Sequence, residues 1–183
     1  RQSLSARESL KLLRIKSQLM TGKIYTKICF KRLSVVNSNA KGRGGEYDVI
    51  GKYADALNVR LVRDLEQWRS ADHGDLLADG DFDWPFTIEV KRYSDKTASV
   101  MHKPQWWAQV TTAAKAASKM PVLWYKYDRR PWRVVMKMNN VSFALGGTLN
   151  HEDDHLFTMD EDSCFYLTRE ILAARAAFLP TVQ

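Results

Sequence analysis

From Phe86 to Lys91 apolar and polar side chains alternate: Phe86, Ile88 and Val90 against Thr87, Glu89 and Lys91. A period of two belongs to a β-strand with one face turned to a core. Phe86–Tyr93 is therefore read as a strand, and its neighbours must supply the sheet and its cover. Upstream, Val59–Leu65 and Asp75–Leu77 read as shorter strands, with a polar turn over Arg69–Gly74 and a second turn at Asp79-Gly80-Asp81. Ahead of them, Glu46–Leu57 places Val49, Ile50, Tyr53 and Leu57 on one helical face. Downstream, Pro104–Lys119 reads as a helix with proline near its first turn. Strands Val122–Tyr127 and Trp132–Met138 follow, separated by Asp128-Arg-Arg-Pro131, and Thr168–Phe178 reads as a short helix. The order α-β-β-β-α-β-β predicts an α/β fold: a mixed β-sheet with helices against it.

The 183 residues suffice for one domain with a buried core. Residues 1–40 read as a basic N-terminal extension, with Arg7–Met20 helical and Lys23–Val36 a strand or arm. Asn37–Gly45, rich in Asn, Ser and Gly, reads as the loop of entry. Residues 41–140 hold the core, and residues 141–183 read as a C-terminal extension with an acidic loop and the short helix. Arg1–Met20 is also Ser- and Arg-rich, acid-poor and amphipathic, so organellar targeting is an alternative to a DNA-tracking arm.

No apolar run approaches the roughly 18 residues of a membrane-spanning helix. Cys29 and Cys164 are far apart and lack metal-ligand spacing, which argues against a disulfide framework and for a reducing, cytoplasmic location. Lys and Arg number 28 against 21 Asp and Glu, a net charge of +7 that suits an anionic partner such as nucleic acid. Eleven basic residues and a single acid, Glu8, lie between Arg1 and Gly45, whereas Glu152–Asp154 and Asp160–Asp162 form an acidic stretch read as a solvated loop. His151 and His155 have helical ligand spacing, but Gly146, Gly147 and Asn150 before them favour a surface loop over a zinc site. Most tryptophans are assigned to the core. Trp106 and Trp107, being adjacent on a helix, point in different directions.

Glu89 and Lys91 stand on one strand face, roughly 6–7 Å apart. A carboxylate there can hold a hard cation, and a neighbouring ammonium can orient a water and offset phosphate charge. The same pair also suits a plain amphipathic strand with self-neutralising charges. Asp75 adds to the first reading, because a hairpin folded over Asp79–Asp83 would set it opposite Glu89. Two carboxylates beside one lysine make an oxygen site for Mg²⁺ or Mn²⁺ rather than zinc. Glu46 is a third acid, which would alternatively complement a helix dipole. Gln109, on the helix after the Glu-x-Lys strand, reads by itself as surface.

The ordered set Lys41-Gly-Arg-Gly-Gly-Glu46, Arg63, Gly74-Asp-Leu76, Ile88-Glu-Val-Lys91, Gln109 and Pro121-Val-Leu123 resembles the PD-(D/E)xK nuclease superfamily. Within it the arrangement is most similar to Holliday-junction resolvases of the archaeal type and their viral relatives, over roughly Lys41–Met138. The resemblance implies a restriction-endonuclease-like fold and divalent-metal-dependent hydrolysis of DNA, a four-way or other branched junction being the favoured substrate. It implies that Glu46, Asp75, Glu89 and the Val90 carbonyl hold Mg²⁺ or Mn²⁺, that Lys91 positions or activates water, and that Gln109 orients groups from the next helix. Lys41, Arg43 and Arg63 match positions where such nucleases keep DNA-contacting basic residues. Two symmetric cuts in a junction imply a twofold homodimer. His73 and Gly74 stand where resolvases commonly keep a small hydroxyl residue, and Ser70 lies farther upstream. A flap-, end- or restriction-type nuclease and a non-catalytic DNA-binding module on the same fold are the alternatives.

Overall fold

The computed structural model describes residues 38–65, 73–80, 83–94, 101–148 and 155–178, all within the unit Val36–Gln183. The expected helix Arg7–Met20, the arm Lys23–Val36 and His151 lie outside the described residues. Helix α1 (Ser38–Leu57) leads to β1 (Leu61–Arg63), β2 (Leu76–Ala78) and β3 (Phe86–Tyr93). Then come α2 (Pro104–Ala116), β4 (Met120–Tyr127), β5 (Arg133–Lys137), α3 (Met138–Ala144), β6 (Leu156–Met159) and α4 (Glu161–Phe178).

The strands form one six-stranded sheet in chain order. β3 and β4 run parallel from Phe86↔Met120 to Tyr93↔Tyr127, and every other neighbouring pair is antiparallel. A parallel pair cannot be closed by a hairpin, and α2 supplies the crossover. The sheet is thus mixed, as the order of elements predicts. Pro121 is tolerated inside β4 because β5 pairs only with Leu123–Tyr125 and does not reach it.

The sheet separates two apolar clusters, and the period-two pattern of β3 turns its apolar residues into one of them. Phe86, Ile88 and Val90 join Val49 and Tyr53 of α1 and Cys164, Phe165 and Ile171 of α4. On the other face, Leu123 and Tyr125 of β4 pack with Trp106 and Val110 of α2. The first cluster is centred on aromatic rings: Tyr53 meets Trp84, Trp124 and Phe165 edge-on at 5.6, 5.6 and 5.3 Å. Two of its indoles are hydrogen-bonded: Trp124 Nε1 donates to the Tyr53 hydroxyl at 3.2 Å and Trp132 Nε1 donates to Asp48 Oδ2 at 2.8 Å. Burial pushes the Cys164 thiol up to about 12, so it behaves as core rather than as a nucleophile. Trp84, Trp106, Trp124 and Trp132 are buried and Trp107 is half-buried, consistent with the assignment of most tryptophans to the core.

Three segments differ from the sequence reading. Asn37–Gly45 was expected to be a loop, yet the helix begins at Ser38 and runs through Gly42, Gly44 and Gly45. Tertiary packing overrides a propensity cost of roughly 1 kcal/mol per glycine. A Cβ on Gly45 would lie 3.3 Å from Arg92 Cβ and 3.5 Å from the Trp132 ring, so the bare backbone lets α1 lie close on the sheet. At the other end, Asp160–Asp162 is a helix start and not a solvated loop. Asp160 Oδ1 accepts a hydrogen bond from Ser163 N at 2.8 Å, while Glu161 and Asp162 occupy the first turn, where acids complement the helix dipole. The helix expected from Thr168 therefore starts at Glu161, and α3 and β6 are additional elements. Residues beyond 140, read from sequence as an extension, contribute β6 to the same sheet and Cys164, Phe165 and Ile171 to the same core.

Candidate active site

The ladder between β2 and β3 places the acids. Leu76 pairs with Ile88, so one step along that register sets Asp75 beside Glu89 on the face of β3 turned to α2. Asp75 N donates to Ile88 O at 2.8 Å, and its Oδ2 accepts from Val90 N at 2.7 Å. The side chain thus takes over where the backbone ladder ends, and its carboxylate is fixed against β3. Gly74 permits this approach: a Cβ there would stand 2.7 Å from Ile88 O and 2.8 Å from Thr87 Cγ2. No hydroxyl-bearing side chain fits that position.

Glu46, Asp75 and Glu89 are all buried, with 8%, 6% and 1% of their surface exposed. Glu89 is the sharpest case. Burial raises its carboxyl to about 7, the neighbouring Asp75 charge adds to the rise, the Lys91 ammonium opposes it, and Glu46 raises it further. Lys91 forms an ion pair with Glu89 Oε1, whereas Glu89 Oε2 is buried with no hydrogen-bond partner among the described residues. Arg63 Nε forms an ion pair with Glu46 Oε2, and that bond raises the guanidinium above its ordinary value. Arg63 also lies 5.6 Å from the centre of the exposed Tyr47 ring.

The structure therefore gathers Glu46, Asp75, Glu89 and Lys91, with Val90 joined to them through its N–H and Arg63 through Glu46. Other sequence-predicted residues stand apart. Lys41 forms an ion pair with Asp128, in the β4–β5 turn. Arg43 is exposed on the first turns of α1. Gln109 is exposed on α2.

Sequence reasoning missed Asp64, which is buried and whose N–H donates to Asp75 O at 2.9 Å. His73 Nδ1 stands 3.0 Å from Asp64 Oδ2. The available signal was Arg63-Asp64 at the end of a strand, where one of two adjacent side chains must face the sheet cover. Asp128, which faces Lys41 and lies 4.0 Å from Arg92 Nε, was read only as a turn residue.

The donor set suits a hard dication. Three buried carboxylates outnumber the two cations paired with them, and the Glu89 oxygen without a partner adds an acceptor that a cation would satisfy. Among the described residues no three acidic, histidine or cysteine side chains already converge as a metal cage. Arg63 and Lys91 hold Glu46 and Glu89, and Asp75 is engaged by Val90 N–H.

Among solved structures, the Holliday junction resolvase Hjc of the archaeal hyperthermophile Archaeoglobus fulgidus aligns over 67% of this chain and 85% of its own, at 20% identity and a TM-score of 0.39. No curated protein matches the chain significantly. Residues 37–164 match the family described as "Phage putative PDDEXK endonuclease". That match spans more than half of the chain and includes every acid of the cluster, and the chain belongs to this family of phage PDDEXK endonucleases.

Proposed function

We propose that the chain is a divalent-metal-dependent endodeoxyribonuclease that hydrolyses phosphodiester bonds in branched DNA, with the four-way junction as its favoured substrate. The observation that carries this reading is Glu89: a carboxylate only 1% exposed, raised to about 7, beside Asp75 and Glu46 and paired with Lys91. Burying three acids together costs stability, and groups perturbed in this way cluster at functional sites. In this reading Glu46, Asp75, Glu89 and the Val90 carbonyl hold Mg²⁺ or Mn²⁺. A hard dication bound there would acidify water and offset charge on the phosphate in the transition state.

The chain's own groups supply the rest. Val90 N–H fixes the Asp75 carboxylate, and Arg63 fixes Glu46. Lys91, the cation paired directly with Glu89, orients the attacking water and stabilises negative charge as the phosphorus–oxygen bond to the leaving group breaks. Lys41, Arg43 and Arg63 contact the DNA backbone, and Gln109 orients groups from α2. A homodimer would present two such sites for paired cuts across a junction.

The test is a panel of labelled four-way junction, flap, hairpin and linear duplex DNA, incubated with the full chain in Mg²⁺, in Mn²⁺ and in chelator. Metal-dependent paired cuts in the junction above all other substrates support the reading. Preferred cutting of flaps or ends moves the substrate assignment, and metal-independent cutting overturns the mechanism.

A further inference from the structure

Beyond Lys91, the strand face that carries Glu89 continues to Tyr93, one two-residue step or roughly 6–7 Å along β3. Tyr93 is 43% exposed. Lys103, the residue immediately before α2, places its ammonium 4.4 Å from the Tyr93 ring centre and 5.3 Å from that of Trp106. The two rings are 4.9 Å apart and inclined at 44°. Both ring faces attract a cation, which fixes the ammonium without neutralising it.

That support separates Lys103 from Lys91, Arg63, Lys41 and Arg92. Lys91 faces Glu89, Arg63 faces Glu46, and Lys41 and Arg92 face Asp128. Each has a carboxylate to offset its field, so an incoming phosphate must compete for it. Lys103 has no carboxylate partner among the described residues, and the first turn of α2 beside it carries no acid. A DNA strand approaching buried carboxylates is repelled unless a cation that is not already neutralised marks the entry.

We propose that Lys103 is a backbone-positioning residue: seated on Tyr93 and Trp106, its ammonium takes a DNA phosphate flanking the one to be cut. The inference rests on the nuclease reading above and adds the element that holds the strand alongside Lys91.

The experiment measures junction binding by the full chain in metal-free buffer across a salt series, together with cleavage kinetics in Mg²⁺. Lys103→Ala should lower the slope of log affinity against log salt by about 0.9, the value for one lost phosphate contact. It should raise KM about tenfold, as loss of one charge-assisted contact does, and leave kcat within about twofold. Lys103→Arg, which keeps the charge and stacks on rings, should restore both readings. Tyr93→Leu should raise KM with the salt slope kept, because the ammonium remains but loses its seat. A wild-type slope and KM in Lys103→Ala overturn the inference while the nuclease reading stands. A wild-type chain that binds no DNA at all overturns both.

Discussion

The two faces of β3 are both buried, and they are buried in opposite ways. On one face, Ile88 and Val90 are closed in by α1 and α4 among apolar and aromatic side chains, and the indoles of Trp124 and Trp132 are hydrogen-bonded to Tyr53 and Asp48. On the other, Glu89 is as deeply covered as Ile88 but carries a titratable carboxyl raised to about 7, a second carboxylate beside it and one oxygen without a hydrogen-bond partner among the described residues. The first face is organised for stability. The second retains buried acids that a stability-driven core would replace with apolar side chains, and that cost is characteristic of a site built for chemistry.

Substitutions that separate the two faces should have unlike signatures. The largest effect on folding is expected from Ile88→Ala, which removes fully buried apolar volume from the centre of the sheet. It should cost about 2–5 kcal/mol in denaturant unfolding, with no change in cleavage rate per folded molecule. A loss well below 1 kcal/mol would show that this face is not the principal core.

A smaller effect should come from pH. The Glu89 carboxyl sits near 7 in the folded chain, above its ordinary 4.5. Between those values the folded state holds a proton that the unfolded chain has released. The stability contributed by protonated Glu89 is therefore fully present below about pH 4.5 and lost as pH rises through about 7. Metal-free melting temperature should fall across that window, and Glu89→Gln should remove that part of the fall. Mg²⁺ should stabilise the folded chain more at pH 8 than at pH 5.5, since protons compete for the same oxygens. Equal melting curves for wild type and Glu89→Gln at every pH would show that Glu89 is not strained by its surroundings.

How far the sequence revealed these features follows from the physics of each. β3 was read to its observed limits, because a strand covered differently on its two faces imposes period two. The meeting of Asp75 with Glu89 was also foreseeable, since a hairpin leaves little freedom of register. What sequence could not convey was depth: Glu89 was read on an open face, but α2 covers that face and Glu89 is buried. The glycines before Glu46 were misread because their local preference is for turns, whereas Gly45 serves a long-range contact with Arg92 and Trp132. α3 and β6, at seven and four residues, are too short to show a period. β6 owes its form to pairing with β5, which no local pattern announces.

If the buried acids beside Glu89 serve DNA cleavage, as proposed, single-turnover cleavage of a labelled four-way junction by Glu89→Gln will show it. Glutamine keeps the size of the side chain and removes the charge. The cleavage rate in Mg²⁺ should fall at least ~100-fold below wild type, a loss of about 2.7 kcal/mol of transition-state stabilisation. Junction binding should be equal or tighter and the fold no less stable. A Glu89→Gln chain that cuts the junction at close to the wild-type rate would show that Glu89 has no part in cleavage.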